Sequence, residues 1–220
     1  MTFDFSFAIQ IIPLVLKGIG NTILVGIASF IGATVLGLIW ELIRRSNRYA
    51  RPVMQFIIDC LRSTPVIVHL YFLFFVLPYY EIVLPAMFVG IFGLSIYFSG
   101  YISEVFKAGF DTVPRGQSEA AQSLGLGGAD IFRFVIAPQM IRNVAAPLGS
   151  YSVSILKSTP YLSIIAVPEM LGSAFDVASD TYRYAEPMFV AGILFLALSL
   201  LMVAGISYVE RRLGLTHAHA

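Results

Sequence analysis

Five ionisable side chains, Asp59, Arg62, His69, Glu104 and Lys157, stand inside stretches of sequence that are otherwise apolar. Placing a charge in hydrocarbon costs about 2.5–3.5 kcal/mol on insertion scales, so each needs a partner or a water-filled path. His, Asp and Glu together could do acid–base or metal chemistry. The patterns of that chemistry are missing: there is no His-Glu-x-x-His and no Gly-x-Ser-x-Gly, and His217 and His219 stand in the C-terminal tail. We therefore assign no catalytic residue and no metal ligand. The other chemistry is solute handling by a cation set among hydroxyls. Arg62-Ser63-Thr64-Pro65 and Lys157-Ser158-Thr159-Pro160 echo each other in this respect. Proline in an apolar helix frees backbone groups, which neighbours, hydroxyls or water must then satisfy.

The elements that position these residues follow from composition. The chain has 220 residues, 58% of them hydrophobic and 12% charged, with a net charge of +1. Its mean hydropathy of +0.83 exceeds what one water-exposed domain of this size needs for its core. The charge balance excludes a nucleic-acid partner. A single cysteine, Cys60, excludes an internal disulfide and a multi-cysteine zinc site. Crossing about 30 Å of hydrocarbon takes about 20 apolar residues as a helix. Five segments qualify: 17–43, 53–78, 84–108, 144–168 and 186–209. Period-two alternation is absent, which argues against a barrel. Ile9–Leu16, with Pro13, is expected as a short interfacial helix, and no Lys or Arg precedes it as in a signal peptide. The sequence thus predicts an all-α membrane protein of about five transmembrane helices, forming a single domain over 1–220.

Lys and Arg mark the cytoplasmic side. Arg44, Arg45, Arg48 and Arg51 lie between spans one and two. Arg115, Arg133 and Arg142 lie between three and four, and Arg211 and Arg212 follow span five. The remaining loops, 78–85 and 169–185, are poor in cations. The N-terminus is therefore expected outside and the C-terminus inside. Glycine and serine in spans one, three and four let helices approach closely, as a compact bundle or a paired copy requires. Arg62 and Lys157 fall about 9–14 residues into their spans, near mid-depth at about 1.5 Å per residue. Transporters place substrate at such depths. Arg62, His69, Tyr97, Glu104, Lys157, Ser158 and Thr159 are thus candidates for a translocation path or its gate. The competing reading is helix locking, with Asp59 pairing Arg62 and Glu104 pairing Lys107 or Lys157. The aromatics of Tyr71–Phe75 and Tyr79-Tyr80 are expected at lipid or its interface.

The loop 109–142 is the longest segment outside the spans. Val113-Pro114-Arg115-Gly116 breaks the chain. Ser118-Glu119-Ala120-Ala121-Gln122-Ser123-Leu124 then forms helix, with Ser118 as expected N-cap. Gly125-Leu126-Gly127-Gly128 turns it, and a second helix is expected from an Asp130 N-cap to Pro138. Two short helices on a glycine turn make a rigid knob. The chain carries no Gly-rich Lys-Ser/Thr phosphate cradle of its own.

Glu119-Ala120-Ala121, with Gly125 and Pro138 at these offsets, resembles the coupling-loop signature of ABC importer permeases. Val135 stands where Ile is common and Ala137 where Leu is common. Arg62-Ser-Thr-Pro65, Ser99-Gly-Tyr-Ile-Ser-Glu-Val-Phe106, Pro114-Arg-Gly-Gln117 and Val167-Pro-Glu169 also resemble the polar amino acid branch of that family, the histidine and glutamine type. The fourth-span motif departs from it, since Lys-Asp-Thr-Ser is common where Lys157-Ser-Thr-Pro160 stands. The resemblance implies a type I ABC importer permease fold in the bacterial cytoplasmic (inner) membrane. It implies Glu119, Ala120, Ala121, Gly125, Arg133 and Pro138 as coupling residues for a dimer of ABC ATPase subunits. ATP and magnesium would be held there, and this chain would carry no cofactor. It also implies a second permease copy or a paralogous permease, and a periplasmic or lipid-anchored substrate-binding protein. The solute would be a small zwitterion: a polar amino acid, an amino acid derivative such as an opine, or a compatible solute. An intramembrane enzyme, and a passive channel or scaffold subunit, are the alternatives.

Overall fold

A computed structural model describes residues 3–212, so His217 and His219 lie outside the described residues. Every regular element among them is helical. Helix α1 (Phe5–Val15) runs through a short 3-10 turn into α2 (Ile19–Ser46). After a turn come α3 (Ala50–Ser63), α4 (Val66–Tyr71) and α5 (Ala86–Asp111). The knob follows as α6 (Arg115–Ser123) and α7 (Gly128–Ile131). A π-helical turn joins α7 to α8 (Ala137–Ser158), and α9 (Met170–Thr181) and α10 (Ala185–Arg212) close the chain. Phe5–Ser46, Ala86–Asp111 and Ala185–Arg212 are each long and apolar enough to cross a membrane, and the number is five when each of two bent helix pairs is counted as one span.

The expected span 53–78 is not a continuous rod. The chain turns by 98° between Ala50–Ser63 and Val66–Tyr80. The turn falls on Ser63-Thr64-Pro65, because the residue before a proline leaves helical geometry: Thr64 is extended, with ψ 141°. The other cation-Ser-Thr-Pro sequence behaves differently, since Thr159 stays helical with φ -60° and ψ -30°. The α-helical part of α8 ends at Ser158, and 159–165 continues as a 3-10 helix before a 42° bend into α9. The expected short helix ahead of span one forms and is longer than 9–16, since Asp4, directly before Phe5, caps it by accepting from Ser6 and Phe7 N–H.

Helices α2 and α5 run in the same direction and form the centre. The Ser29 hydroxyl donates to the Ile91 carbonyl and Trp40 Nε1 donates to the Ser99 hydroxyl, so register advances together on both. Beside this pair, α3 and α4 run the opposite way to α5. Gly100 lies against Leu61 and Arg62, and Gly93 against Leu70. Helix α8 is also antiparallel to α5, with Gly109 against Val144 and Gly90 against Leu162. Because α10 begins beside Asp4 and runs parallel to α2, the described chain begins and ends at opposite ends of the bundle. Asp4 N–H donates to Glu186 at 3.1 Å, and Arg183 bridges Asp4 and Glu186. The Ser6 hydroxyl, donating to Asp4, holds that carboxyl below its usual range.

The bend into α9 is held by Glu169, which is fully buried. Its carboxylate accepts from Leu171 N–H at 2.8 Å and Gly172 N–H at 2.6 Å, capping α9. The Thr22 hydroxyl accepts from Met170 N–H, and Asn21 donates to the Pro168 carbonyl. Gly18 allows this approach: a β-carbon there would sit 2.3 Å from the Glu169 carbonyl carbon. Gly18→Ala is accordingly expected to destabilise the chain by about 1–3 kcal/mol. Gly20→Ala, whose added carbon meets nothing within 4 Å, should not. Thermal unfolding of the full chain in detergent compares them, and equal midpoints would show that this contact does not hold α9.

Candidate functional site

One face of α8 differs from the exposed faces of α2 and α10. Ala146, Ser150, Ser154, Lys157 and Tyr161 recur at helical spacing and are all exposed. On α2 the exposed positions include Leu24, Ile27, Ile31, Val35 and Ile39, and on α10 they include Ile193, Leu196 and Leu200. Aliphatic faces suit lipid, whereas a lysine and a row of hydroxyls are turned toward protein or water. Ser150, Ser154 and Ser158 donate to the carbonyls of Ala146, Ser150 and Ser154. Each hydroxyl oxygen is thereby left as an acceptor. Lys157 lines a mainly apolar groove against Phe195, Leu196, Ser199, Leu200 and Val203 of α10 and makes no ion pair among the described residues.

A second cluster forms where α3 breaks. The Tyr101 hydroxyl donates to the Arg62 carbonyl at 3.0 Å, and the Arg62 guanidinium lies 5.4 Å from the Tyr101 ring centre. Arg62 is 4.0 Å from Asp59, as the helix-locking reading expects. The Tyr97 and Tyr101 hydroxyls are 3.2 Å apart, and the His69 ring packs edge-on against Tyr97 at 5.6 Å. His69 also spans the break, with Nδ1 3.2 Å from the Pro65 carbonyl and Nε2 3.3 Å from the Thr64 hydroxyl. Tyr151 of α8 lies 6.1 Å from the Tyr101 ring, which joins this cluster to the α8 helix. Arg62, His69 and Tyr97 are thus brought together. Tyr101 and Tyr151 complete the group and escaped the sequence reading, although Tyr97 and Tyr101 at i and i+4 were a usable signal.

Two candidates fall elsewhere. Thr159 is fully buried and donates to the Leu156 carbonyl, so it closes the end of α8 rather than facing the exposed stripe. Glu104 pairs not with Lys157 but with Arg44 at 2.5 Å, and lies 3.7 Å from Lys107. Arg44 is no loop cation. It is 4% exposed and paired with Glu41, which is 1% exposed, and it donates to Gln55 as well. Arg45 joins Glu41 to Asp111. The Glu41-x-x-Arg44-Arg45 spacing carried this signal, since i,i+3 and i,i+4 charges share a helix face.

The knob differs in detail from expectation. Helix α6 starts at Arg115 directly after Pro114, and neither Ser118 nor Asp130 is an N-cap; Gly127 takes that position for α7. Gly125 has φ +81°. Leu126 N–H reaches the Ala121 carbonyl and Gly125 N–H the Gln122 carbonyl, the paired bonds of a Schellman end that needs a left-handed residue. Glu119 and Ala120 are exposed, and Ala121 is buried. The second helix does not stop at Pro138. The π-helical turn over 132–136 absorbs the proline's missing donor, so α7 and α8 are one continuous helix from Gly128 to Ser158. Arg133 stacks on Phe134 and is exposed, while Phe132 stacks on Phe110 of α5.

Comparison with known proteins gives the family and the fold. A family model described as binding-protein-dependent transport system inner membrane component matches residues 33–215. The chain is 39% identical over 209 residues to the probable amino-acid ABC transporter permease protein y4tG of Sinorhizobium fredii (strain NBRC 101917 / NGR234), covering 94% of this chain and 90% of that protein. It is 32% identical over 197 residues to the probable amino-acid ABC transporter permease protein YckA of Bacillus subtilis (strain 168), covering 89% and 87%. Its fold is similar to a chain of an amino acid ABC transporter crystallised with histidines. There the TM-score is 0.87 at 31% identity, over 96% of this chain and 100% of that one.

Glu41 is the test of the charge network. Breaking a buried ion pair leaves an uncompensated charge, so Glu41→Gln is expected to cost on the order of 3 kcal/mol. Replacing both charges, as Glu41→Met with Arg44→Met, should recover part of that loss, because Arg45 keeps Asp111 and Glu104 keeps Lys107. Thermal unfolding midpoints measure this, and a double variant no better than the single one would refute the pairing as the cause.

Proposed function

Because this chain belongs to the binding-protein-dependent transport system inner membrane component family, we propose that it lines the path of an importer for amino acids or related small zwitterions and is driven through residues 119–138. Its place is the inner membrane. ATP and magnesium belong to a separate ATPase pair, a second permease faces it, and a substrate-binding protein delivers the solute from outside. The N-terminus is outside and the knob inside, which is the orientation the Arg44–Arg51 cluster favours.

The observation that carries this reading is the continuous helix from the knob to the polar α8 face. Leu124 at the knob is 82% exposed and Phe134 62%, an apolar surface suited to a partner's cleft. Helix rise is about 1.5 Å per residue, so the 20 residues from Ala137 to Lys157 carry a push at the knob over about 30 Å as a rigid body. Lys157 offers its ammonium to a carboxylate, with the Ser150 and Ser154 oxygens beside it as acceptors for an ammonium. Arg62, His69 and Tyr97, extended by Tyr101 and Tyr151, form the neighbouring wall where α3 breaks. Ser158 supports the α8 stripe. Of the coupling group, Glu119, Ala120 and Arg133 present the contact surface, Gly125 sets the turn, Ala121 anchors it, and Pro138 marks the passage into the span.

Radiolabelled amino acid uptake into cells expressing the whole transporter tests both halves. Glu119→Lys is expected to abolish uptake while the chain still inserts and is recovered from membranes; unchanged uptake removes the knob from the mechanism. Lys157→Ala removes a charged hydrogen bond of about 1.5–3 kcal/mol, which is expected to raise the half-saturating concentration about 10- to 100-fold with assembly intact. Failed assembly instead assigns Lys157 to packing.

A further inference from the structure

A second charged site lies at the basic end of the bundle, away from the α8 face. The α2–α3 turn, the last turns of α5 and the first residue of α6 enclose a cavity of about 390 Å³. That volume is in the range of small-ligand sites. Six cations line it, Arg44, Arg45, Arg48, Arg51, Lys107 and Arg115, against two anions, Glu41 and Asp111. Arg44 and Arg45 are taken up by Glu41, Glu104 and Asp111, and Lys107 leans on Glu104. Arg48, Arg51 and Arg115 make no ion pair among the described residues. Arg48 donates to the Tyr49 hydroxyl. Three uncompensated guanidiniums around one cavity repel each other unless an anion joins them. Arginine forks match phosphate oxygens in pairs.

The residues that alternate with the cavity lining along α2 and α3 indicate what carries the phosphate. Tyr49, just before α3, and Val53 and Phe56 on α3 are exposed, Phe56 at 70%, and so are Leu42 and Ile43 at the end of α2. Apolar side chains at the end of two spans, beside a basic cavity, are where acyl chains meet a headgroup. Asn47 and Gln55 add neutral donors and acceptors to the lining. We propose that this cavity binds the phosphate of an anionic phospholipid headgroup, with the acyl chains along α2 and α3. The bound lipid ties Arg115, the first residue of α6, to the α2–α3 turn. The inference stands independently of the transport reading, because it needs neither nucleotide nor solute.

Phosphatidylglycerol and phosphatidylcholine are titrated against the full chain in detergent, with bound lipid counted by native mass spectrometry. Near-surface arginines contribute about 1 kcal/mol each to anionic lipid binding, or about fivefold in affinity. Arg51→Gln should weaken phosphatidylglycerol about fivefold, and Arg48→Gln with Arg51→Gln and Arg115→Gln on the order of 100-fold. The same three positions as lysine should keep most of the affinity, and Arg211→Gln, outside the cavity, all of it. Phosphatidylcholine should bind weakly and equally to every variant. The proposal is overturned if the glutamine variants bind phosphatidylglycerol like the wild type, or if Arg211→Gln loses as much. It is also overturned if inorganic phosphate displaces the lipid and stabilises the chain alone, which would assign the cavity to a soluble anion. If the triple variant does not fold, the Arg51→Gln titration decides.

Discussion

In hydrocarbon, α2 and α5 gain nothing by hiding apolar side chains from one another, since lipid is as apolar as they are. What holds them is close backbone approach. A β-carbon on Gly32 would meet the Ser95 hydroxyl oxygen at 2.4 Å, and one on Gly37 would meet Ile102 at 2.8 Å. At that separation Ser29 and Trp40 reach across to bond the partner helix, and Arg44 reaches Glu104. The register set by these contacts fixes α5, and α5 then places α3, α4 and α8 through its own glycines at 93, 100, 90 and 109. Both the polar stripe and the tyrosine cluster are downstream of this one contact.

A membrane segment that leaves helical geometry must satisfy its backbone from within. Each break in this chain has its local solution. At Pro65 the Thr64 hydroxyl takes the Cys60 carbonyl and His69 takes the Pro65 carbonyl. At 159–169 Thr159 takes Leu156, Ser163 takes Pro160, and Glu169 takes two N–H groups of α9. No buried side-chain polar atom among the described residues is left without a partner. Of these groups only His69 also belongs to the candidate path, through its packing on Tyr97; the others serve the backbone alone.

Number of spans, the knob and the family were legible because they rest on local signals: apolar length, a Pro-x-Gly break, and Glu-Ala-Ala before a glycine turn. The close contacts of Arg62, His69 and Tyr97 were only partly legible, since composition indicates that a residue is out of place without saying what it faces. The 98° turn at Ser63 was missed because Pro65 is equally compatible with a kinked span, and only tertiary contacts choose between them. The π-helical turn that carries α7 past Pro138 left no sequence trace beyond the proline. Arg44 illustrates a different failure. A run of arginines after a span suggests a solvated loop, but Glu41 one turn earlier and Glu104 some 60 residues later draw one of them inside. The earlier partner was visible in the sequence; the later one needed the fold.

The joining of α7 to α8 decides where motion can occur. A knob ending at Pro138 would be a separate body hinged to the span, and force applied at Glu119 would be lost in that hinge. With one helix from Gly128 to Ser158, the points where regular geometry is interrupted are instead Gly125, in its left-handed turn, the π-helical turn over 132–136, Pro147 within α8, and the 3-10 segment after Ser158. Phe132 rests on Phe110, and Asn143 donates to Thr112 at the end of α5, so the rod can pivot on α5 but cannot slide freely along it. A pivot there moves Ser150, Ser154 and Lys157 together, and Thr159 with them through its bond to the Leu156 carbonyl. In α3 the same sequence breaks the helix sharply, with Arg62 in its last turn and Thr64 inside the break, bonded back to the Cys60 carbonyl. In both helices a cation stands at the end of the regular α-helix, and a threonine hydroxyl closes that end on a carbonyl of the last turn.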